Sequence, residues 1–236
     1  MQSMLGYMRK AIQDYQMIAD GDRVAVGVSG GKDSVVLLTG LARLRSFIGI
    51  QYEMVAITLD PGFSGEWTDY GPIEELCRTL GVPYVVKRTG IGEVIFDVRK
   101  ETNPCSLCAR MRRGALHDAA IEAGCNKIAL GHHSDDATET FLMNLFREGR
   151  IGCFSPVTYL SRKDITMIRP MVLAPEKEIR AAVRRCALPV VKSKCPVDGH
   201  TERERTKVFL NDLEHKDHGV KKRIFGALRR SGIDGW

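Results

Sequence analysis

The chain has 236 residues, of which 44% are hydrophobic, 27% charged and 7% aromatic, with a formal net charge of +6. That composition supports one large or two small cores and excludes a disordered chain, and the positive balance leans toward a polyanionic partner. No stretch approaches the roughly 18 apolar residues of a membrane span, and residues 1–20 have neither an uninterrupted apolar core nor a small-residue cleavage site, so no membrane partner and a cytoplasmic location are expected. Seven cysteines without an export signal are expected to be reduced thiols, serving metal or redox chemistry rather than disulfides.

In chain order, Leu5, Met8, Ile12, Tyr15 and Ile18 recur at helical spacing and predict an amphipathic helix over 1–20. The run "GDRVAVGVSGG" predicts a buried strand, and Asp33 to Phe47 a helix with Val35, Leu38, Leu41 and Ala42 on one side. A second strand is expected over Tyr52 to Leu59, followed by the loop "DPGFSGEW", a helix from Thr68 to Leu80, and a third strand in "VPYVVKR". "CSLCARMRRGALHDAAIEAG" reads as a helix, Lys127 to Gly131 as a fourth strand, "DDATETFLMNLFREG" as a helix and "ITMIRPM" as a fifth strand. "GRIGCFSPVTYLSRKD" is open between an ordered loop and a hairpin. Beyond Pro175, helices are expected over Glu176 to Cys186 and Thr201 to Glu214, then a basic segment to Arg230. Strands alternating with helices of this length predict an α/β fold, a doubly wound and mostly parallel sheet, with a small helical C-terminal region. The expected division is an N-terminal helix (1–20), an α/β domain (21–174) and a helical region (175–236).

The chemistry is concentrated in three places. The first is "VGVSGGKDSVVLLTGL", Val26 to Leu41. A turn from a strand end into a helix N-terminus aims free N–H groups at an anion. Gly30 and Gly31 permit close backbone approach, Ser29 and Ser34 add hydroxyls, and Lys32 adds a cation. The Walker A pattern fails, since it needs glycine at Val26 and Ser or Thr at Asp33, and the G-x-G-x-x-G pattern is absent. "SGGKDS" resembles the pyrophosphate loop of the PP-loop ATPases, the N-type ATP pyrophosphatases, which cleave ATP into AMP and pyrophosphate. That resemblance implies a role for Asp33 in organising Mg²⁺ at the phosphates. Asp33 also reads as the first-turn acid that a helix N-terminus favours.

The second place is "GHHSDDATET", at the sheet edge where open α/β folds place ligands. Gly131, His132 and His133 are candidate nucleotide or substrate contacts, and so is Asp60 at the start of the loop after the second strand. Asp135 and Asp136 are candidates for Mg²⁺ binding or general-base work, or they cap the following helix. Lys32, Asp33, Asp135 and Asp136 form the candidate catalytic set.

The third place is "CSLC", which puts Cys105 and Cys108 on one side of a helix start, together with Cys195 in "KSKCPVDGH". With His200 they make a tetrahedral zinc set, and without it a three-cysteine iron–sulfur site with one open iron, while Cys105 and Cys108 by themselves also read as a redox pair at a helix N-terminus. Cys77, Cys125, Cys153 and Cys186 stand singly and read as small buried hydrophobes.

"SGGKDS", "CSLCARMRRGAL", "KIALGHHSDD", "IRPM" and Cys195, in that order, resemble the tRNA 2-thiocytidine synthetase family over most of Gly21 to Cys195. The resemblance implies an enzyme that uses ATP to activate O2 of an anticodon-loop cytidine in tRNA and replaces it with sulfur from a sulfide or persulfide donor. Cys105, Cys108 and Cys195 would hold a [4Fe–4S] cluster, and a homodimer is the expected assembly. In the family the third cysteine often sits in a C-x-x-C, whereas Lys192 stands three before Cys195 here. "ARMRRG" and "HKDHGVKKRIFGALRRSG" are basic clusters suited to tRNA phosphates, or they are solvated helix faces. The alternatives are a 2-thiouridine-forming or other PP-loop sulfur transferase, a reductase of adenylylated sulfate, and a zinc-stabilised nucleotide- or RNA-binding protein without catalysis.

Overall fold

In the computed structural model, which describes residues 1–99, 104–192, 194–196 and 202–236, the apolar run Arg23–Gly27 is strand β1 at the centre of the sheet. Val24, Ala25 and Val26 are fully buried, as a strand covered on both faces requires. The other strands are β2 (Glu53–Asp60), β3 (Tyr84–Arg88), β4 (Lys127–Ala129), β5 (Val157–Leu160) and β6 (Ile165–Ile168). Among the described residues the six strands run in the order β3-β2-β1-β4-β6-β5. All pairs are parallel except β5 with β6. Ala25 faces Val55 on one side and Ile128 on the other. The strand order reverses between β1 and β4, and open α/β sheets form their ligand crevice at such a point.

The stretch left open between loop and hairpin contains β5, so "ITMIRPM" supplies the sixth strand in chain order rather than the fifth. The hairpin closes on Asp164, which takes φ +47°, a left-handed position that Asp tolerates better than most residues. Helix α1 (Gln2–Asp14) ends earlier than its periodicity predicts. Gln16 turns the chain at φ +49°, and Met17 and Ile18 are buried from outside the helix.

Helices α2 (Lys32–Leu44), α3 (Gly71–Leu80) and α7 (Glu176–Arg185) join α1 on one face of the sheet, over the core formed by Val24, Val26, Met54 and Ala56. The other face, with Ala25, Val55, Ile57 and Ile128, is covered by α5 (Pro104–Glu122) through Ala119 and Ala120. The short α4 (Ile91–Glu93) runs into a π-helical turn, Val94–Val98; neither was expected. At the C-terminal side, α8 (Glu202–Lys216) and α9 (Val220–Ser231) both pack on α6 (Ser134–Arg147). Trp236 donates its indole N–H to the Phe154 carbonyl at 2.9 Å, fixing the end of the chain to the segment before β5. No helix among the described residues is long and apolar enough to cross a membrane.

Candidate active site

The phosphate loop is built by its own serines. Ser34 Oγ accepts the Ser29 N–H at 3.2 Å and donates to the Gly31 carbonyl at 2.9 Å, which closes the turn from β1 into α2. Gly30 takes φ +83°, and a Cβ there would stand 2.9 Å from Val191 Cβ. The Val191 N–H bonds the Gly30 carbonyl at 2.9 Å, so the chain after α7 lies directly on the loop. Gly31 caps α2 without a side-chain bond, leaving the helix N-terminus available to an anion.

Lys32 Nζ lies 3.0 and 2.9 Å from the two Asp33 oxygens and 3.1 Å from Glu176 Oε1. Burial works against its charge, and the carboxylates of Asp33 and Glu176 outweigh burial, so its pKa is raised. Glu176 also receives Arg180 at 2.9 Å and Lys207 at 3.2 Å. Burial opposes its ionisation, yet Lys32, Lys207 and Arg180 hold its carboxyl down at about 2. Glu176 was read in the sequence only as part of a helix start, because a first-turn acid is ordinary and its partner Lys32 lies far away in the chain.

The loop from β4 into α6 rests on the phosphate loop. A Cβ on Gly131 would lie 3.2 Å from the Asp33 carbonyl carbon, so any side chain there would force the two loops apart by a few tenths of an ångström. His133 and Asp136 form a reciprocal capping box: the His133 N–H donates to Asp136 Oδ2 at 2.9 Å, and His133 Nδ1 accepts the Asp136 N–H at 3.3 Å. Asp135 Oδ2 accepts the Glu176 N–H at 2.8 Å, joining α6 to α7. Both aspartates therefore have structural partners, as the capping alternative expected, while standing beside the phosphate loop. Glu139, a turn further along α6, is 4% exposed. Burial first, and then the Asp136 charge, push its carboxyl up to about 7. It was not among the sequence candidates, since position alone does not reveal burial.

A cavity of about 280 Å³ opens at the strand ends beside this loop, walled by Val28, Leu59, Leu116 and Leu130 and edged by Arg112 and Arg113. His117 and His132 line it too, and each has a buried ring nitrogen, Nε2 and Nδ1 respectively, with no hydrogen-bond partner among the described residues. Burial, with Arg169 next, pushes His132 down to about 3, so its ring is neutral at physiological pH. It stacks on Phe154 with ring centroids 4.9 Å apart. Asp60 is 2% exposed and accepts the N–H groups of Gly62 (3.1 Å) and Thr68 (2.8 Å), which shapes the loop after β2.

Cys105 and Cys108 stand at the start of α5, just before the turns that line the cavity. Cys105 is exposed, and Cys108 and Cys195 are half-buried. Burial raises the Cys108 thiol, Arg112 opposes the rise, and the Cys195 and Cys105 thiols add to it. The three sulfurs thus share one electrostatic neighbourhood. Lys194 ties the Cys195 segment to the loop after β2, donating to Glu66 at 2.8 Å and to the Trp67 carbonyl at 3.2 Å. Among the described residues no three His, Cys, Asp or Glu side chains stand in ligating geometry, and His200 lies outside the described residues. An all-thiol donor set beside a guanidinium fits an iron–sulfur cluster, whose ligands are thiolates. Cys77, Cys125 and Cys153 are buried and Cys186 is half-buried.

The C-terminal basic segment is partly neutralised by acids, two of them distant in the chain. Lys221 reaches Asp135 at 3.7 Å, Arg229 reaches Asp14 at 3.6 Å, and Arg223 pairs with Asp217.

Comparison with known proteins gives one consistent result. The sequence pattern of the PP-loop domain matches residues 5–211. The tRNA-cytidine(32) 2-sulfurtransferase of Citrifermentans bemidjiense is 42% identical over 222 residues, covering 93% of this chain and 86% of that protein. Its counterpart from Pelobacter propionicus is 40% identical, covering 93% and 82%. Among solved structures, the U34-tRNA thiolase NcsA from Methanococcus maripaludis with its [4Fe-4S] cluster superposes with a TM-score of 0.78 at 25% identity, covering 96% of this chain and 78% of that one. An NH3-dependent NAD synthetase from Campylobacter jejuni, at TM-score 0.51 and 16% identity, shares the fold.

Proposed function

The chain belongs to the PP-loop family, in the branch of the tRNA-cytidine(32) 2-sulfurtransferases, and from that premise we propose that it thiolates a tRNA cytidine at C2 with consumption of ATP. The observation that carries the reading is the course of α5. Its first two turns hold Cys105 and Cys108, and its next turns, through Arg112, Arg113, Leu116 and His117, wall the cavity beside the phosphate loop. One rigid helix thus joins a thiol site to a nucleotide site, as a reaction that activates an oxygen and then replaces it with sulfur requires.

In this reading the phosphates lie on the Ser29–Ser34 turn and the adenosine enters the cavity, its base against Val28, Leu59 and Leu116. Lys32 turns from Glu176 to the phosphates. Mg²⁺ arrives with ATP and meets Asp33, in keeping with a cation that takes one or two carboxylates alongside phosphate oxygens. That gives the carboxylate beside Lys32 its use. A pyrimidine C2 carbonyl is a poor electrophile with a poor leaving group. Attack of cytidine O2 on the α-phosphate breaks the bond to the β-phosphate, releases pyrophosphate and turns O2 into part of a phosphate leaving group. Asp135 or Asp136 manages proton traffic beside the attacked phosphate. Cys105, Cys108 and Cys195 would hold the [4Fe–4S] cluster, which when bound would supply the sulfur at the oxidation level of sulfide, from sulfide directly or from a persulfide together with a two-electron reductant such as a thiol pair. Sulfur then bonds to C2 as AMP leaves. Arg112 and Arg113, between the two sites, orient the anionic adenylate.

The test is to incubate anaerobically prepared protein with unmodified tRNA, ATP, Mg²⁺ and sulfide, then analyse the nucleosides by mass spectrometry. The reading expects 2-thiocytidine with matching AMP and pyrophosphate. Release of ADP and phosphate, or sulfur in uridine alone, would overturn it.

A further inference from the structure

The α/β part of the molecule leaves one edge of its own phosphate site negative. Around the loop stand the carboxylates of Asp33, Asp135, Asp136 and Glu176, and among the described residues of the α/β part and α7 the cations paired with them are Lys32 and Arg180. Four carboxylates with two partner cations disfavour a triphosphate at this edge of the site, whereas Arg112 and Arg113 stand at the cavity on its other side. Helices α8 and α9 reverse that balance. Lys207 reaches Glu176 Oε1 at 3.2 Å, Arg203 reaches Asp136 Oδ1 at 3.6 Å, and Lys221 reaches Asp135 Oδ1 at 3.7 Å. Glu139, held up at about 7, is only half ionised at neutral pH and does not restore the negative balance.

One atom in this array is over-subscribed. Lys32 Nζ, Arg180 Nη2 and Lys207 Nζ converge on the single oxygen Glu176 Oε1 at 3.1, 2.9 and 3.2 Å. One carboxylate oxygen carries one shared negative charge, whereas a terminal phosphate oxygen suits several cations at once. The Glu176 side chain is only 11% exposed, so water does not dilute the convergence. We propose that Lys207 is a ligand of the β- and γ-phosphates of ATP and of the departing pyrophosphate, so that the C-terminal helices complete the nucleotide site, and that Glu176 Oε1 keeps the place of a phosphate oxygen until ATP enters. The inference rests on the reading that ATP binds at the Ser29–Ser34 loop. Charge builds on the β-phosphate as the α–β bond breaks, and an ammonium already in place there stabilises the leaving group without reorganisation. Arg203 and Lys221 stay with the aspartates, which keeps those carboxylates from repelling the same group.

The test titrates Mg-ATP, Mg-pyrophosphate and AMP, each separately, into the full-length protein by calorimetry, for wild type, Lys207→Ala and Lys207→Arg. Loss of one charge-assisted bond predicts about tenfold to hundredfold weaker pyrophosphate binding in Lys207→Ala, AMP binding unchanged, and substantial rescue by Lys207→Arg. Unchanged thermal midpoints would show the fold intact. Equal loss of AMP and pyrophosphate binding in Lys207→Ala, or no loss of either, would overturn the proposal. A wild type that binds AMP and pyrophosphate but not ATP would overturn the ATP-dependent reading on which it rests.

Discussion

Lys32 and Asp33 show how one residue can look misplaced until its neighbours are known. Side by side in a phosphate loop they appear to cancel, but the 2.9 Å contact keeps the ammonium charged and in place before a nucleotide arrives. Glu139 is the residue whose titration is most exposed to test. Its folded pKa of about 7 lies above the 4.5 of an ordinary glutamate, so between those two pH values the native state binds more protons than the unfolded chain. Stability therefore falls as pH rises through that window. Glu139→Gln should remove this fall: in urea unfolding at pH 5 and pH 8, wild type should lose on the order of 2–3 kcal/mol more than the variant. Parallel pH dependence in both proteins would contradict the burial argument.

At the scale of elements, the site depends on two loops touching. Gly131→Ala places a methyl 3.2 Å from the Asp33 carbonyl carbon and 3.3 Å from its oxygen, which pushes α6 and α2 apart by a few tenths of an ångström. Misplacement of that kind costs more in turnover than in stability, so kcat should fall about tenfold or more, with a thermal midpoint within a few degrees of wild type. Retained kcat would show that the contact does not position the site. The same loops were readable in the sequence because their signals are local: a glycine turn entering an amphipathic helix, and an acidic helix start after a short apolar strand. The π-helical turn at Val94–Val98 and the early end of α1 were not readable. "IGEVIFDV" fits several periods equally well, and the turn at Gln16 is set by the packing of Met17 and Ile18 rather than by a breaker residue. Glu176 and Lys207 were missed for a related reason, since no local pattern reports a pairing between residues so distant in the chain.

At the scale of the whole molecule, the strand order fixes where the chemistry sits. Reversal between β1 and β4 brings "SGGKDS" and "GHHSDD" together, and α5 connects that crevice to the thiols. The chain after α7 bonds the phosphate loop at Val191, four residues before Cys195. That closeness in the chain makes Cys195 the residue on which the account turns. The direct measurement is iron and acid-labile sulfide in anaerobically purified wild type and in Cys195→Ala. The account predicts about four iron and four sulfide per wild-type chain, as a [4Fe–4S] cluster on three cysteines requires, and their loss in the variant. Stoichiometric zinc without iron, or a variant that keeps its full iron and sulfide, would contradict it.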